Sequence, residues 1–386
     1  MKRKIRILSV ALILLLTVFF TGCGQTQTAS TANAPFKLGV IYSTSGASAS
    51  VGTQEKRSVD LFVEETNAQG GINGHPIEVI FENDDTNSEK AVAAAKKLAY
   101  NDQVDAIIGP ITSSAIEAVK SVTKEAKVPH LSITGSSPKL TLDNPEWYFR
   151  NAISSQFQTK NLVKYSVETL GLKNFAILYD GARTTDQYEG FVKDLNTYNL
   201  KPVAAEKFQT GETSFNAQLL NLKKANPDAI LVLGMINEGA AAAKQIRDLG
   251  IQAKILGVVA FAYSDFIKLG GSATEGTLAV TTFLSTSTQP KTVEFVKKFK
   301  EKFGEDPDHG AAHTYDALNL IANSASSGQL SYKDLAADRQ KIKDELNKVS
   351  NYQGVTSPIS YSANDHDGYE DLYLVEVKNG KWEVIK

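Results

Sequence analysis

Short apolar runs alternate with longer amphipathic segments along most of the chain. The run Phe36–Tyr42 is typical of a buried strand, and residues 52–67 repeat their apolar positions with the period of a helix. The same alternation predicts strands at 76–82, 106–109, 128–133, 174–179, 201–208, 229–233 and 253–256, and helices at 88–101, 114–126, 188–198, 215–225 and 238–249. Strands separated by helices in this way are typical of parallel sheets that are covered on both faces.

The number of predicted strands, about a dozen, is too large for one small sheet. The chain of 386 residues is long enough for two domains. We therefore expect an α/β fold of two doubly wound lobes, each with a parallel sheet.

The loops that follow the strands are the candidate ligand-binding segments, because ligands of such sheets bind outside the carboxyl ends of the strands. Three loops in the first part of the chain, at 43–47, 109–114 and 134–137, are rich in serine, threonine and glycine. Hydroxyl and amide groups at helix amino termini suit a carboxylate or another anion. In any single loop such residues are more often helix caps, but three loops together predict a shared anion site.

The amino terminus is typical of a secretory signal. Four basic residues within positions 2–6 precede an apolar run at 7–20, which is short for a membrane-spanning helix. The following residues, Phe20-Thr21-Gly22-Cys23, resemble the lipobox of bacterial lipoproteins, and Cys23 is the only cysteine of the chain. We expect a signal peptide at 1–22, a lipid on Cys23, and a flexible tether at 23–35. The alternative is an ordinary signal with an incidental cysteine.

Composition excludes several classes of function. The 41 Lys and Arg residues are balanced by 43 Asp and Glu residues, so the chain lacks the positive charge that nucleic-acid binding requires. Neither a phosphate-binding glycine loop nor a catalytic serine or zinc motif is present in the sequence. His309 and His313 share a helical spacing seen in metal sites, but no carboxylate accompanies them in the sequence pattern. We expect no metal, no cofactor and no enzymatic activity.

Several segments resemble the branched-chain amino-acid binding proteins, which are type I solute-binding proteins of ABC importers. The resemblance rests on NAQGGING at 67–74, IEVIFENDD at 77–85, VDAIIGP at 104–110, FR at 149–150, DAILVLG at 228–234 and AHTYDA at 312–317, and on the tail at 352–361 and 380–384. It covers nearly the whole chain after the tether, in order.

The resemblance implies two lobes joined by three crossings, near 153–156, 282–285 and 356–359. The first lobe would comprise 36–154 and 285–357, and the second 155–284 and 358–386. A small amino-acid-like or organic-acid ligand would bind between them, outside the cytoplasm, for delivery to the permease subunits of an importer. A strict branched-chain amino-acid binder is one alternative, and a ligand-sensing receptor module of the same fold is another.

For the first lobe, the resemblance assigns the ligand carboxylate to two of the loops already described. Ser113 would offer its hydroxyl, Thr134 its main-chain atoms, and Ser136 its hydroxyl and amide. Neutral donors of this kind can hold a carboxylate without a counter-cation.

For the second lobe, the match to amino-acid binders is less complete. Gln187, with Tyr188 beside it, falls where those proteins carry a ligand-contacting tyrosine near a helix start. Met235 falls where they carry an aromatic residue that covers the ligand.

Val259 falls where amino-acid binders carry the acid that pairs with the ligand ammonium. A buried ammonium without a partner costs on the order of several kcal/mol. Either Glu238 or Asp265 substitutes for that acid, or the ligand has no α-ammonium. Phe261 and Tyr263 could line an apolar pocket, although packing into the core is an equal alternative.

The lipid on Cys23 is directly testable. Replacing the thiol in Cys23→Ala removes the atom that accepts the diacylglycerol, so the variant should stay uncleaved at this site or be released in soluble form. Membrane fractionation and the mass of the mature chain measure the outcome. Unchanged fractionation and unchanged mass would contradict the lipoprotein assignment.

Overall fold

The computed structural model describes residues 33–46, 48–142 and 145–385. The predicted signal peptide, Cys23 and the tether up to residue 32 lie outside the described residues. In the described part of the chain, no helix is both long enough and apolar enough to cross a membrane.

Strands and helices alternate as the sequence predicts. The strands are β1 (Phe36–Tyr42), β2 (Ile77–Asn83), β3 (Ala106–Ile108), β4 (His130–Ser132), β5 (Tyr148–Arg150), β6 (Phe175–Asp180), β7 (Ala204–Phe208), β8 (Ala229–Leu233), β9 (Lys254–Leu256), β10 (Leu278–Thr281), β11 (Tyr373–Lys378) and β12 (Lys381–Val384). The helices are α1 (Ala49–Ala68), α2 (Ser88–Lys96), α3 (Ser113–Glu125), α4 (Lys139–Leu142), α5 (Ser155–Lys164), α6 (Thr185–Asn196), α7 (Asn216–Lys224), α8 (Ile236–Asp248), α9 (Ser264–Gly270), α10 (Pro290–Phe303), α11 (His309–Ser327) and α12 (Leu335–Leu346).

The first sheet is parallel throughout, in the order β2-β1-β3-β4-β5. Successive side chains of β1 point to opposite faces, so Val40 packs in one apolar cluster and Ile41 in another. Both residues are fully buried, because helices cover both faces of the sheet. This is the doubly wound arrangement that the sequence predicts.

The second sheet has the order β12-β11-β10-β9-β8-β6-β7 and is parallel from β7 to β10. The last two strands in the chain, β11 and β12, are antiparallel to their neighbours. The alternation of apolar runs and amphipathic segments did not predict this. A two-residue turn at Asn379 and Gly380, both with positive φ, folds the tail into a hairpin and makes β12 antiparallel to β11. The tail therefore extends a parallel sheet with an antiparallel edge.

Two of the three predicted crossing segments are hydrogen-bonded to each other. The amide of Ser357 donates to the carbonyl of Thr282 at 3.0 Å. Asp316 of α11, fully buried, accepts from the amides of Val355 (2.8 Å) and Thr356 (2.9 Å) and from the Thr356 hydroxyl (2.5 Å). Asp316 thus fixes the third crossing segment to the first lobe.

Residues after that segment remain in contact with the first sheet. Asp367 forms a parallel bridge with Arg150 of β5, and the hydroxyl of Tyr361 donates to the Arg150 carbonyl at 3.3 Å. The chain joins the second sheet at Tyr373. The lobe boundaries stay a prediction, and these contacts favour a second-lobe boundary nearer to Tyr373 than to residue 358.

Replacing the carboxylate in Asp316→Ala should lower the free energy of unfolding by about 3 kcal/mol, because buried amides of Val355 and Thr356 lose their acceptor. Urea denaturation measures the change. Glu301→Ala, at a side chain that is 65% exposed, serves as the control and should change stability little. Equal effects of the two substitutions would contradict the assigned role.

Candidate functional site

Two loops of the first lobe lie side by side at the carboxyl ends of β3 and β4. The hydroxyl of Thr134 donates to the carbonyl of Ile111 at 2.6 Å, which ties the loops together. The amide of Ser137 reaches the hydroxyl of Ser113 at 3.4 Å. Thr112 caps α3 by accepting from the amide of Ala115 at 3.4 Å, so the Ser113 hydroxyl is not needed as the cap.

The predicted donors of the first lobe are therefore adjacent, and we call Ser113 with residues 134–137 the cradle. Within the described chain, the hydroxyl of Ser136 makes no hydrogen bond, and its carbonyl accepts from the amide of Ser155 at 2.7 Å. The Thr134 hydroxyl is occupied by Ile111, so only main-chain atoms of Thr134 remain for a ligand. This agrees with the division of roles that the resemblance implies.

Arg150 supports the cradle from within the protein. Its guanidinium is fully buried and donates to the carbonyls of Ser137 (2.7 Å) and Gly135 (3.4 Å). It also donates to both carboxylate oxygens of Asp367, each at 2.5 Å. In the sequence, Arg150 stands out only as part of the family resemblance, because no local pattern shows which loop a buried arginine will hold.

The second lobe meets the cradle at the start of α6. The hydroxyl of Ser137 donates to Asp186 at 2.8 Å, one residue before Gln187. Gln187 is half-buried, and its side chain makes no hydrogen bond within the described chain. The ring of Tyr188 instead stacks on Tyr179 of β6, at 4.3 Å and 13° between planes, so packing accounts for its position.

Met235 lies at the start of α8 and is 40% exposed. Beside it, Glu238 accepts from the amide of Met235 (3.0 Å), from the amide of Gly211 (3.1 Å) and from the guanidinium of Arg183 (2.5 Å). These partners leave Glu238 without capacity to act as the main partner of a ligand ammonium. Asp265, the other proposed substitute, is 57% exposed and pairs with Lys268 at 2.9 Å.

Val259 lies in a short 3-10 turn after β9 and is half-buried. Its amide donates to the side chain of Gln158 at 3.1 Å, and Gln158 in turn donates to the carbonyl of Ile153 at 2.9 Å. The Val259 segment is therefore connected to the first crossing. Of the two aromatic residues that follow, Phe261 stacks on Phe266 in the core, whereas Tyr263 contacts His309 of the first lobe.

His313 has a structural role. Its ring bonds to the hydroxyl of Thr282 at 2.5 Å and to the carbonyl of Ile133 at 3.1 Å. Burial lowers the pKa of His313 to about 4. The ring therefore joins α11 to the second crossing and to the strand end that precedes the cradle, which its sequence spacing to His309 did not indicate.

The sequence profile of the periplasmic binding protein family matches residues 35–381. Among curated proteins, Leu/Ile/Val-binding protein homolog 3 of Brucella melitensis is 28% identical over 65% of this chain and 68% of its own length. The leucine-, isoleucine-, valine-, threonine- and alanine-binding protein of Pseudomonas aeruginosa is 25% identical over 80% of this chain and 81% of its own.

A solved structure extends the similarity. It is the branched-chain amino-acid transporter substrate-binding protein LivJ of Streptococcus pneumoniae, in complex with isoleucine. It superimposes with a TM-score of 0.82 at 30% identity, covering 91% of this chain and 98% of its own.

The cradle depends on a glycine at the end of β3. Gly109 has a φ of +91°, and a Cβ atom there would lie 2.0 Å from the carbonyl oxygen of Ile41. Gly211 has a similar φ of +82° but no atom within 4 Å of that position, which makes it a matched control.

Gly211→Ala should therefore lose about 1 kcal/mol of unfolding free energy, from its left-handed backbone alone. Gly109→Ala should lose roughly 2 kcal/mol more, because the Ile41 backbone must also move. Chemical denaturation of both variants checks this, and equal losses would show that close approach at Gly109 is unimportant.

Proposed function

Because the chain belongs to the periplasmic binding protein family, we propose that it captures a small organic solute between its two lobes and delivers it to an ABC importer. Its relatives are solute-binding proteins, and the chain is a solute-binding protein rather than an enzyme. Members of this family work outside the cytoplasm. A lipid on Cys23 and a tether up to residue 35 would keep the protein at the membrane, near the permease subunits.

The cradle is the observation that carries the proposal. The Ser136 hydroxyl has no protein partner in the described chain, and Ser113 lies beside the same loop. Arg150, neutralised by Asp367, holds the carbonyls of Gly135 and Ser137 from behind and so fixes the loop that carries these donors. Across the gap, the bond from Ser137 to Asp186 brings the start of α6 to the same place. These contacts support a carboxylate held by the first lobe and covered by the second.

The second lobe decides which carboxylates are suitable. Val259 supplies no negative charge, and both Glu238 and Asp265 are paired with cations of their own. An α-ammonium placed against Val259 would lose its hydration without gaining a partner, at a cost on the order of several kcal/mol. LivJ of Streptococcus pneumoniae holds isoleucine, but we propose for this chain an organic acid without an ammonium at that position.

Ser136→Ala tests the cradle. Losing one hydrogen bond to a charged group costs about 1.5–3 kcal/mol, so the variant should bind its carboxylate ligand about ten- to a hundredfold more weakly. A thermal-shift screen of organic acids and amino acids first identifies a ligand that raises the melting temperature, and calorimetry then gives the affinities.

Ser272→Ala is the matched control, since Ser272 is exposed in a 3-10 turn of the second lobe and should leave affinity unchanged. Failure of every acid and amino acid to stabilise the protein would contradict solute capture. Equal binding by Ser136→Ala and the unaltered chain would contradict the cradle.

A further inference from the structure

Two carboxyl groups of the first lobe lie next to each other at the start of α11. Glu55 of α1 is fully buried, and Asp308 precedes the first residue of α11. A Cβ atom on Gly310 would lie 3.4 Å from Asp308 Oδ1 and 3.6 Å from Glu55 Oε1, so both groups border the same backbone. Burial raises the pKa of Asp308 to about 7 and raises the pKa of Glu55 as well, with Asp308 adding to the latter.

Glu55 lacks a compensating partner, whereas Asp308 caps α11 by accepting from the amide of Ala311 at 2.8 Å. Neither carboxylate oxygen of Glu55 has a hydrogen-bond partner in the described chain, and the same holds for Nδ1 of His309, which is 6% exposed. A buried carboxylate without a partner is costly and therefore rare in a native protein. The cations in the neighbourhood are committed elsewhere, since Arg57 pairs with Glu305 and Lys268 with Asp265.

The pair lies where the two lobes touch. Tyr263, next to α9 of the second lobe, approaches the His309 ring with 4.0 Å between centroids. Burial raises the pKa of the Tyr263 hydroxyl, and the negative charges of Asp308 and Glu55 raise it further. The phenol groups of Tyr263 of the second lobe and Tyr42 of β1 therefore lie near the acids of the first lobe. Carboxylates together with aromatic rings are the surroundings that a nitrogen cation prefers.

The pair and the cradle are connected but separate. Nδ1 of His313 bonds to the carbonyl of Ile133, the residue before Thr134, and the His313 ring lies 5.7 Å from the ring of His309. Two imidazole rings thus separate the cradle from the acidic pair. An α-amino acid, whose nitrogen and carboxylate share one carbon, is shorter than the separation of these two rings.

We propose that Glu55, with Asp308 beside it and with Tyr263 of the second lobe against the neighbouring His309, binds a cationic nitrogen of the ligand several bonds away from its carboxylate. This deepens the proposed function and rests on it, because the cradle holds the other end of the solute. The ligand class is then an acid with a distal ammonium group. The first lobe supplies at Glu55 the negative charge that the second lobe lacks at Val259.

A metal ion fits the pair less well than an ammonium. The described residues contain no group of three or more His, Cys, Asp and Glu side chains arranged to hold a metal. An ammonium needs fewer and less regular acceptors, and the rings of Tyr42 and Tyr263 favour it further.

The test compares 4-aminobutanoate, 5-aminopentanoate and 6-aminohexanoate with the matching acids that lack the amine, by calorimetry on the full chain. At least one amino acid of the series should bind about tenfold or more tightly than its matching acid. Glu55→Gln should abolish that difference, whereas Glu301→Gln, at an acid that is 65% exposed, should retain it.

Stability distinguishes a binding role from a structural one. Without ligand, Glu55→Gln should melt at an equal or higher temperature than the unaltered chain, because it removes a buried carboxyl group that has no partner. A marked drop in melting temperature, with the amine preference unchanged in the protein that remains folded, would assign Glu55 a structural role and overturn the inference.

The pH dependence follows from the raised pKa values. The cation binds the ionised carboxyl groups, so protons leave on binding and affinity should rise as the pH passes through about 7. The groups that face the pair are Tyr42 and Asp84 from β1 and the end of β2, His309 from α11, Glu305 after α10, and Tyr263 and Asp265 from the second lobe.

Other outcomes separate this inference from the proposed function. Binding of the plain acids as tightly as of the amino acids would overturn the cation site and leave the cradle intact. Failure of every acid and amino acid to bind would overturn both.

Discussion

The buried guanidinium of Arg150 is the interaction on which the candidate site depends. One side chain holds the carbonyls of the cradle loop and both oxygens of Asp367, which comes from the far end of the chain. Such a charge is stable in the interior only when all its donors are used, and removing one partner of a buried pair typically costs about 3–5 kcal/mol. The loop that faces the ligand is therefore held as firmly as the core.

Hydrogen bonds also link the candidate site to the predicted crossing segments. The Ser136 carbonyl accepts from Ser155 at the start of α5, and Gln158 of that helix bonds to the Val259 amide. His313 joins the second crossing to the strand end before the cradle. Because these bonds run between the lobes and the crossing segments, a ligand that contacts both lobes can bias the angle between them.

The acidic side chains around the candidate site lie at other positions than the resemblance to amino-acid binders implies. The second lobe carries Val259 where an acid is expected, and its Glu238 is neutralised by Arg183. On the first lobe, Glu55 has no hydrogen-bond partner within the described residues, and Asp308 lies beside it. Under our proposal, the partner of the ligand cation lies in the first lobe, at a position that the family resemblance does not assign.

The sequence by itself determined the fold class, the order of strands and helices, and the two loops of the cradle, because period and turn residues are local properties of the chain. It also indicated that Val259 departs from the pattern of the amino-acid binders. Only the tertiary structure decided that Tyr188 stacks on Tyr179, that Arg150 holds the cradle, and that Glu55 finds no hydrogen-bond partner in the described part of the chain. Those facts depend on residues far apart in the chain, and whether a polar side chain finds a partner is settled only when distant elements pack together.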